Sequence, residues 1–130
     1  MFRFTLPRDI YVGYGAIEKL AVLKGHKKAF ICTGGHSMRR GGFLQKAEKV
    51  LQDNGLKTRI MEGIAPDPSI EAVKEGASAM SEFQPDVIVA IGGGSPIDAA
   101  KAMWVFYEHP ELTFDDVMIE KLNLKVLGME

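Results

Sequence analysis

A short apolar segment that runs directly into three glycines constrains the fold more than any other feature of the sequence. Residues 87–91, VIVAI, are apolar without alternation, which is typical of a parallel strand covered on both faces. Residues 29–33 are similar, and they also run into glycines, at Gly34 and Gly35. Two buried strands that both end in glycine indicate a sheet whose strand ends lead into turns with little side-chain bulk.

Helical patterns alternate with these strands. Apolar residues recur at helical spacing within residues 44–51 and 70–80, and residues 58–61 form a weaker strand candidate. Near the start of the chain, residues 9–12 resemble a strand and residues 16–23 a short helix. This alternation predicts an α/β fold with a largely parallel sheet flanked by helices.

The stretch GGGSPIDAAK, residues 92–101, has the composition of an anion-binding turn at the start of a helix. Ser95 is expected to cap the first turn, Pro96 to take the first helical position, and Asp98 to complete a variant capping box. The glycines leave backbone N–H groups unshielded and the helix N-terminus adds positive potential, so a pyrophosphate is the expected ligand. A glycine turn without a ligand is the alternative, because the stretch is neither a G-x-G-x-x-G fingerprint nor a P-loop.

Both glycine clusters lie where predicted strands end, at the edge at which α/β sheets bind ligands. They are therefore expected to line one crevice. Asp67 follows the weaker strand candidate, and Asp67-Pro68 also fits an N-cap followed by proline at the first helical position.

Composition and charge exclude several classes of function. The 16 basic and 17 acidic residues give a net charge of −1 without a basic tract, so no nucleic-acid partner is expected. Residues 1–6 contain no long apolar h-region, so no signal peptide is expected, and no apolar run is long enough to span a bilayer, so no membrane partner is expected either. The only cysteine, Cys32, rules out a disulfide framework and is expected in the core. With 46% hydrophobic residues, residues 1–130 are enough to form one domain with a core of its own. The cytoplasm is the expected location of this domain.

Residues 92–101 resemble the GGGSxxDxAK signature of the iron-containing (group III) alcohol dehydrogenases. Residues 7–20 are similar to that family's opening strand and helix, residues 65–68 to its E-P-N-P turn, and residues 113–116 to the segment after the glycine helix. The resemblance implies a Rossmann-like domain that binds NAD or NADP. It also implies that an all-helical domain follows in the family, where one Asp and three His bind the metal that polarises the alcohol oxygen.

Nothing in this sequence matches the metal site of that family. The histidines, His26, His36 and His109, are scattered without ligand spacing, and the family's T-T-x-G-T segment is absent. The chain therefore resembles an N-terminal half, as an excised domain, a truncated gene product or one part of a split enzyme. We expect no catalytic and no metal-binding residue in it, iron or zinc only with the missing C-terminal domain, and no oxidation of alcohols by this chain alone.

The resemblance also bears on the choice of cofactor. NAD-preferring members commonly carry an Asp in the place of Gly34, which binds the ribose 2′-OH and repels a 2′-phosphate. Gly34 removes that charge, and the guanidinium groups of Arg39 and Arg40, which follow closely, suit a phosphate. His36 and Ser37 can add hydrogen bonds. The sequence thus predicts NADP preference, with NAD as the other candidate; solvated charges at a helix start are the alternative for the arginines.

The expected cofactor-binding residues are the glycine clusters and the polar residues beside them: Gly34, Gly35, His36, Ser37, Arg39, Arg40, Asp67, Gly92, Gly93, Gly94, Ser95 and Asp98. The rival functions are a non-catalytic nucleotide-binding or interaction module and a glycerol-dehydrogenase-like or dehydroquinate-synthase-like domain. Apolar residues within 118–127 lack an obvious core of their own, so self-association or binding to a metal-bearing partner is expected.

Overall fold

The computed structural model describes residues 9–113, in which helices and strands alternate as predicted. In chain order, the elements are a 3₁₀ helix (Ala16–Leu23), β1 (Lys28–Gly34), α1 (Ser37–Arg40), α2 (Phe43–Asp53), β2 (Lys57–Ile64), α3 (Ile70–Phe83), β3 (Val87–Ile91) and α4 (Gly94–Glu108). The predicted strands at 87–91 and 29–33 are confirmed, and the weaker candidate at 58–61 is the middle of a longer strand. The predictions for residues 114–127 lie outside the described residues.

The strands form a parallel sheet in the order β2–β1–β3. The central strand is β1, in which Ala29 pairs with Thr58 on one side and with Val87 on the other. The chain passes from β1 through α2 to β2, and then through α3 to β3 on the opposite side of β1. The predicted α/β fold with a Rossmann-like, parallel sheet is confirmed.

Helices cover both faces of the sheet, which explains why the central strand lacks polar alternation. Phe30 and Cys32 pack against α3 and α4, whereas Ala29 and Ile31 pack against the face covered by α2 and the 3₁₀ helix. All four side chains are fully buried. The prediction that Cys32 belongs to the core is therefore confirmed, and burial raises the pKa of its thiol to about 12.

The helix α4 lies close to the sheet because small residues line its inner side. Ala99 and Ala100 are buried in the same cluster as Phe30, as their size predicts. Phe106 is also buried there, and Trp104 and Tyr107 pack against the cluster. The helix ends at Glu108 with His109 as its C-cap.

The predicted strand at residues 9–12 is wrong, because these residues form no regular element. Ile10, Tyr11 and Val12 are exposed, and no strand among the described residues lies beside them. Apolar side chains favour a strand only where a neighbouring strand and a core are within reach. The helix predicted at residues 16–23 does form, as a 3₁₀ helix.

Candidate functional site

The two glycine clusters lie together at the carboxyl edge of the sheet. Thr33 of β1 pairs with Ile91 of β3, so Gly34 and Gly92 follow at the same end of neighbouring strands. A Cβ atom placed on Gly34 would lie 3.8 Å from Cδ of Pro96 in α4. The expectation that both clusters line one end of the sheet is thus met by the geometry.

This edge is also the point where the strand order reverses. The connection that leaves β1 leads to β2 on one side, whereas β3 lies on the other side of β1. In open α/β sheets a crevice forms at such a switch point, because the two flanking connections diverge there. The glycine clusters occupy this position.

The start of α4 is formed by glycines, and no side chain caps it. The helix begins at Gly94, and its N-cap is Gly93, without a side-chain hydrogen bond to the first turn. A Cβ atom on either glycine would meet nothing within 4 Å. The first N–H groups of α4 are therefore left without a side-chain acceptor, next to open space.

The predicted capping roles of Ser95 and Asp98 are wrong. Because the helix begins one residue before Ser95, that residue lies within the first turn, and Asp98 lies one turn further along. Pro96 is accordingly the third helical residue and not the first; it is buried against the glycines of both turns. The exposed Asp98 carboxylate takes no part in capping.

Asp67 does not cap α3 either. Its φ of 50° is left-handed, whereas an N-cap residue needs an extended backbone. Ser69 has that backbone, and its Oγ accepts a hydrogen bond of 3.1 Å from the N–H of Ala72. Asp67 lies in the loop after β2, which is the same edge of the sheet as the glycine turns.

The polar residues predicted after β1 lie on the short helix α1 and just before it. Gly35, His36 and Ser37 are exposed, and a Cβ atom on Gly35 would meet nothing within 4 Å. Arg39 and Arg40 are in the last turn of α1 and not at a helix start. The helix dipole favours cations in a last turn and so does not disfavour the two arginines there.

Glu62 is the residue of this site that the sequence analysis missed. The Nε atom of Arg39 donates a hydrogen bond of 2.8 Å to its Oε1, and Nη2 of Arg39 donates to the same oxygen. The Nδ1 atom of His36 lies 3.6 Å from Oε2. Hydrogen bonding to Arg39 is the main cause that lowers the pKa of Glu62. The position of Glu62 near the end of the strand next to β1 is the signal that could have revealed it.

The structure brings together no set of metal ligands within residues 9–113. Each histidine instead has one carboxylate neighbour: Nδ1 of His26 lies 3.5 Å from Asp86, that of His36 lies near Glu62, and that of His109 lies 3.2 Å from Glu111. Among the same residues, no helix is long and apolar enough to span a bilayer.

A parallel sheet with helices on both faces, whose strand order reverses at glycine turns, defines a Rossmann-like domain. Residues 7–127 match the family model of iron-containing alcohol dehydrogenases. The chain belongs to the iron-containing alcohol dehydrogenase family, a family of oxidoreductases, and the predicted membership is confirmed.

Similar proteins include a butanol dehydrogenase and iron-containing alcohol dehydrogenases of known structure. An NADPH-dependent butanol dehydrogenase of Clostridium saccharobutylicum is 59% identical over 117 residues, which make up 90% of this chain and 30% of that protein. An iron-containing alcohol dehydrogenase structure from Thermococcus thioreducens aligns with a TM-score of 0.73 and 41% identity, over 78% of this chain and 27% of that chain. Another from Thermotoga maritima aligns with a TM-score of 0.81 and 28% identity, over 90% and 33% of the two chains. The chain thus spans about a third or less of these relatives.

Proposed function

We propose that this chain binds NADP at the carboxyl edge of its sheet, as the nucleotide-binding part of an iron-dependent alcohol dehydrogenase. The observation that carries the proposal is the meeting of the two glycine turns beside a helix start that no side chain caps. The pyrophosphate would lie against residues 92–95, where N–H groups and the helix dipole attract an anion. Asp98 and Asp67, neither of which caps a helix, are proposed to contact the cofactor at the sides of this turn.

The proposed preference for NADP rests on the residues that follow β1. Position 34 is a glycine and carries no carboxylate. Two arginines, together with His36 and Ser37, lie on the segment that follows it. Guanidinium groups bind phosphate by charge and by paired N–H groups. The 59% identical relative is named an NADPH-dependent enzyme, which supports the same choice.

The reaction proposed for the whole enzyme is hydride transfer between a primary alcohol or aldehyde and NADP. The cofactor accepts or donates the hydride when bound, and this chain's residues hold and orient it. Residues 9–113 offer no set of three metal ligands, so the metal is proposed to bind elsewhere in the enzyme. We propose that this chain alone does not oxidise alcohols.

Calorimetric titration of the purified chain with NADPH and NADH, side by side, tests the proposed cofactor site. Binding of NADPH with weaker binding of NADH is the expected result. Equal affinity would contradict the NADP preference, and no binding of either cofactor would contradict the binding function of this chain. Turnover of simple primary alcohols with NADP or NAD, after addition of iron or zinc, would contradict the proposal that the chain is incomplete.

Self-association, or association with a metal-bearing partner, is proposed for the same chain. Support comes from β3, which pairs only with β1 among residues 9–113 and so leaves one strand edge open. Sedimentation over a range of concentrations tests self-association, and a monomer at every concentration would contradict it. A cytoplasmic location completes the proposal and is tested by cell fractionation.

A further inference from the structure

Glu62 lies beside the segment on which the proposed choice of cofactor depends. The strand β2, which carries Glu62, runs next to β1. Its last residue, Ile64, places its carbonyl oxygen 3.5 Å from a Cβ atom built on Gly34. The side chain of Glu62 contacts Arg39 in α1 and approaches His36, which precedes that helix. An anion bound between Gly34 and α1 would therefore lie close to the carboxylate.

The contact with Arg39 occupies the part of the guanidinium that binds phosphate well. Nε and Nη2 form one of the two edges at which a guanidinium offers a pair of N–H donors. Both of these nitrogen atoms donate to Oε1 of Glu62. Arg40 differs, because it forms no hydrogen bond or ion pair with any side chain in the described part of the chain. Of the two arginines, only Arg39 already has an anionic partner there.

The carboxylate of Glu62 keeps its negative charge beside Arg39 at neutral pH. Its side chain is only 23% exposed, whereas that of Arg39 is 46% exposed. The hydrogen bonds from Arg39 lower the pKa of Glu62, so the carboxylate stays ionised at neutral pH. A 2′-phosphate, which is also anionic at that pH, would meet this charge, whereas a 2′-hydroxyl would not.

We infer that Glu62 is a specificity-determining residue, whose carboxylate competes with the 2′-phosphate of NADP for Arg39 and thereby moderates the preference for NADP over NAD. The inference rests on the proposed cofactor site. It predicts that the charge of Glu62 weakens NADP binding and leaves NAD binding nearly unchanged.

The test is a comparison of Glu62→Gln with a matched control. Glutamine keeps the length of the side chain and an acceptor oxygen for Arg39 but removes the charge. Glu82→Gln is the control. Oε2 of Glu82, in α3, lies 3.2 Å from Nη1 of Arg59 in β2, and Glu82 touches neither glycine turn. Calorimetric titration should show that Glu62→Gln tightens NADPH binding about fivefold and changes NADH binding by less than about twofold. Glu82→Gln should match the unsubstituted chain with both cofactors.

Three results would overturn the inference while leaving the proposed function intact. The first is an affinity of Glu62→Gln for NADPH that equals the affinity of the control. The second is an equal gain in affinity for NADPH and for NADH. The third is weaker NADPH binding, which would mean that Glu62 positions Arg39 for the phosphate. A further variant, Arg39→Ala with Glu62→Gln, should lose most of the gain, because the competition acts through Arg39. If the unsubstituted chain binds neither cofactor, the proposed function itself fails and the inference fails with it.

Discussion

Ser69 caps α3 although Asp67, two residues earlier, has an equally suitable side chain. The difference lies in the backbone: Asp67 is left-handed and Ser69 is extended. An N-cap must be extended for its side chain to reach the N–H groups of the first turn. Residue type alone therefore predicted the position of this cap to within two residues. Which residue forms the cap depends on the backbone conformation of the loop after β2.

Replacement of Ser69 by alanine should lower the free energy of unfolding by about 1 kcal/mol, because the N–H of Ala72 loses its acceptor. Urea denaturation measures the change. Asp67→Asn is the control, since asparagine tolerates a left-handed backbone, and it should change stability by less than about 0.5 kcal/mol. Equal losses in the two variants would contradict the assignment of the cap.

Gly34 is the position at which a single charge should reverse the proposed preference for NADP. A Cβ atom there would make only ordinary contacts, with Ile64 and Pro96, so a side chain is compatible with the fold. Gly34→Asp should weaken NADPH binding by about tenfold or more and NADH binding much less, as measured by titration. Gly34→Asn has the same size without the charge, and equal effects of the two variants would attribute the change to bulk.

Arg39 and Glu62 show which feature of the site the sequence could not provide. The two residues are 23 positions apart, and their contact depends on β2 lying next to β1 with α1 folded over its end. The sequence identified the arginines by their chemistry but not their partner. A contact of this kind follows from the order of the strands, which the sequence pattern did not fix.

At the scale of elements, continuous apolar runs predicted strands more reliably than the weaker strand patterns did. The central strand β1 and the edge strand β3 were predicted with nearly correct bounds, because both are covered by helices on two faces. The strand β2 is half-exposed over much of its length, and only its middle was predicted. Residues 9–12 have strand-like composition but no neighbouring strand in the described part of the chain, which a local pattern cannot reveal.

The turn between β3 and α4 requires different properties of its first two glycines. Gly92 has a φ of 134°, and a Cβ atom on it would lie 2.9 Å from Cγ of Pro96. Gly93 has an ordinary φ of −81° and open space around it. The first glycine is thus needed for the fold of the turn, and the second for access to its backbone.

Alanine at each position should separate these properties. Gly92→Ala should lower the free energy of unfolding by about 1–3 kcal/mol, because of the strained backbone and the contact with Pro96. Gly93→Ala should leave stability within about 1 kcal/mol but weaken NADPH binding, since its methyl group enters the space proposed for the pyrophosphate. Thermal denaturation and titration of both variants measure the two effects. Loss of stability in Gly93→Ala equal to that in Gly92→Ala would contradict this division.

In the molecule as a whole, the two ends of the sheet differ in chemistry. Glycine turns form the carboxyl edge, whereas a carboxylate joins the strands at the amino edge. There, Asp86 accepts hydrogen bonds of 2.9 Å from the backbone N–H groups of Lys27 and Lys28 and lies 3.5 Å from His26. It thereby ties the start of β1 to the residue before β3. Side-chain hydrogen bonds thus join the strands at the amino edge, whereas open space lies beside the backbone of Gly93 and Gly94 at the carboxyl edge.

Asp86 should make stability depend on pH in the acid range. Burial alone would raise its pKa, but the hydrogen bonds from Lys28 and Lys27 outweigh that effect, and the pKa is lowered. Its contribution is therefore present above the unfolded-state pKa of about 3.9 and is lost as the pH falls through the lower folded-state value. Asp86→Asn should destabilise the protein at pH 7 and progressively less below about pH 3.9. Urea denaturation across this range is the measurement, and a loss that is the same at pH 7 and at pH 3 would contradict the role of the charge.

The burial of Cys32 makes the chain convenient for labelling with fluorescent dyes. Its thiol is the only one in the sequence, it is fully buried between the central strand and the helices α3 and α4, and its pKa of about 12 leaves almost no thiolate at neutral pH. Maleimide reagents should therefore not react with Cys32 in the native protein. A cysteine introduced on an exposed helix position, as in Ser78→Cys, would then carry a dye at one known place without prior removal of the natural thiol.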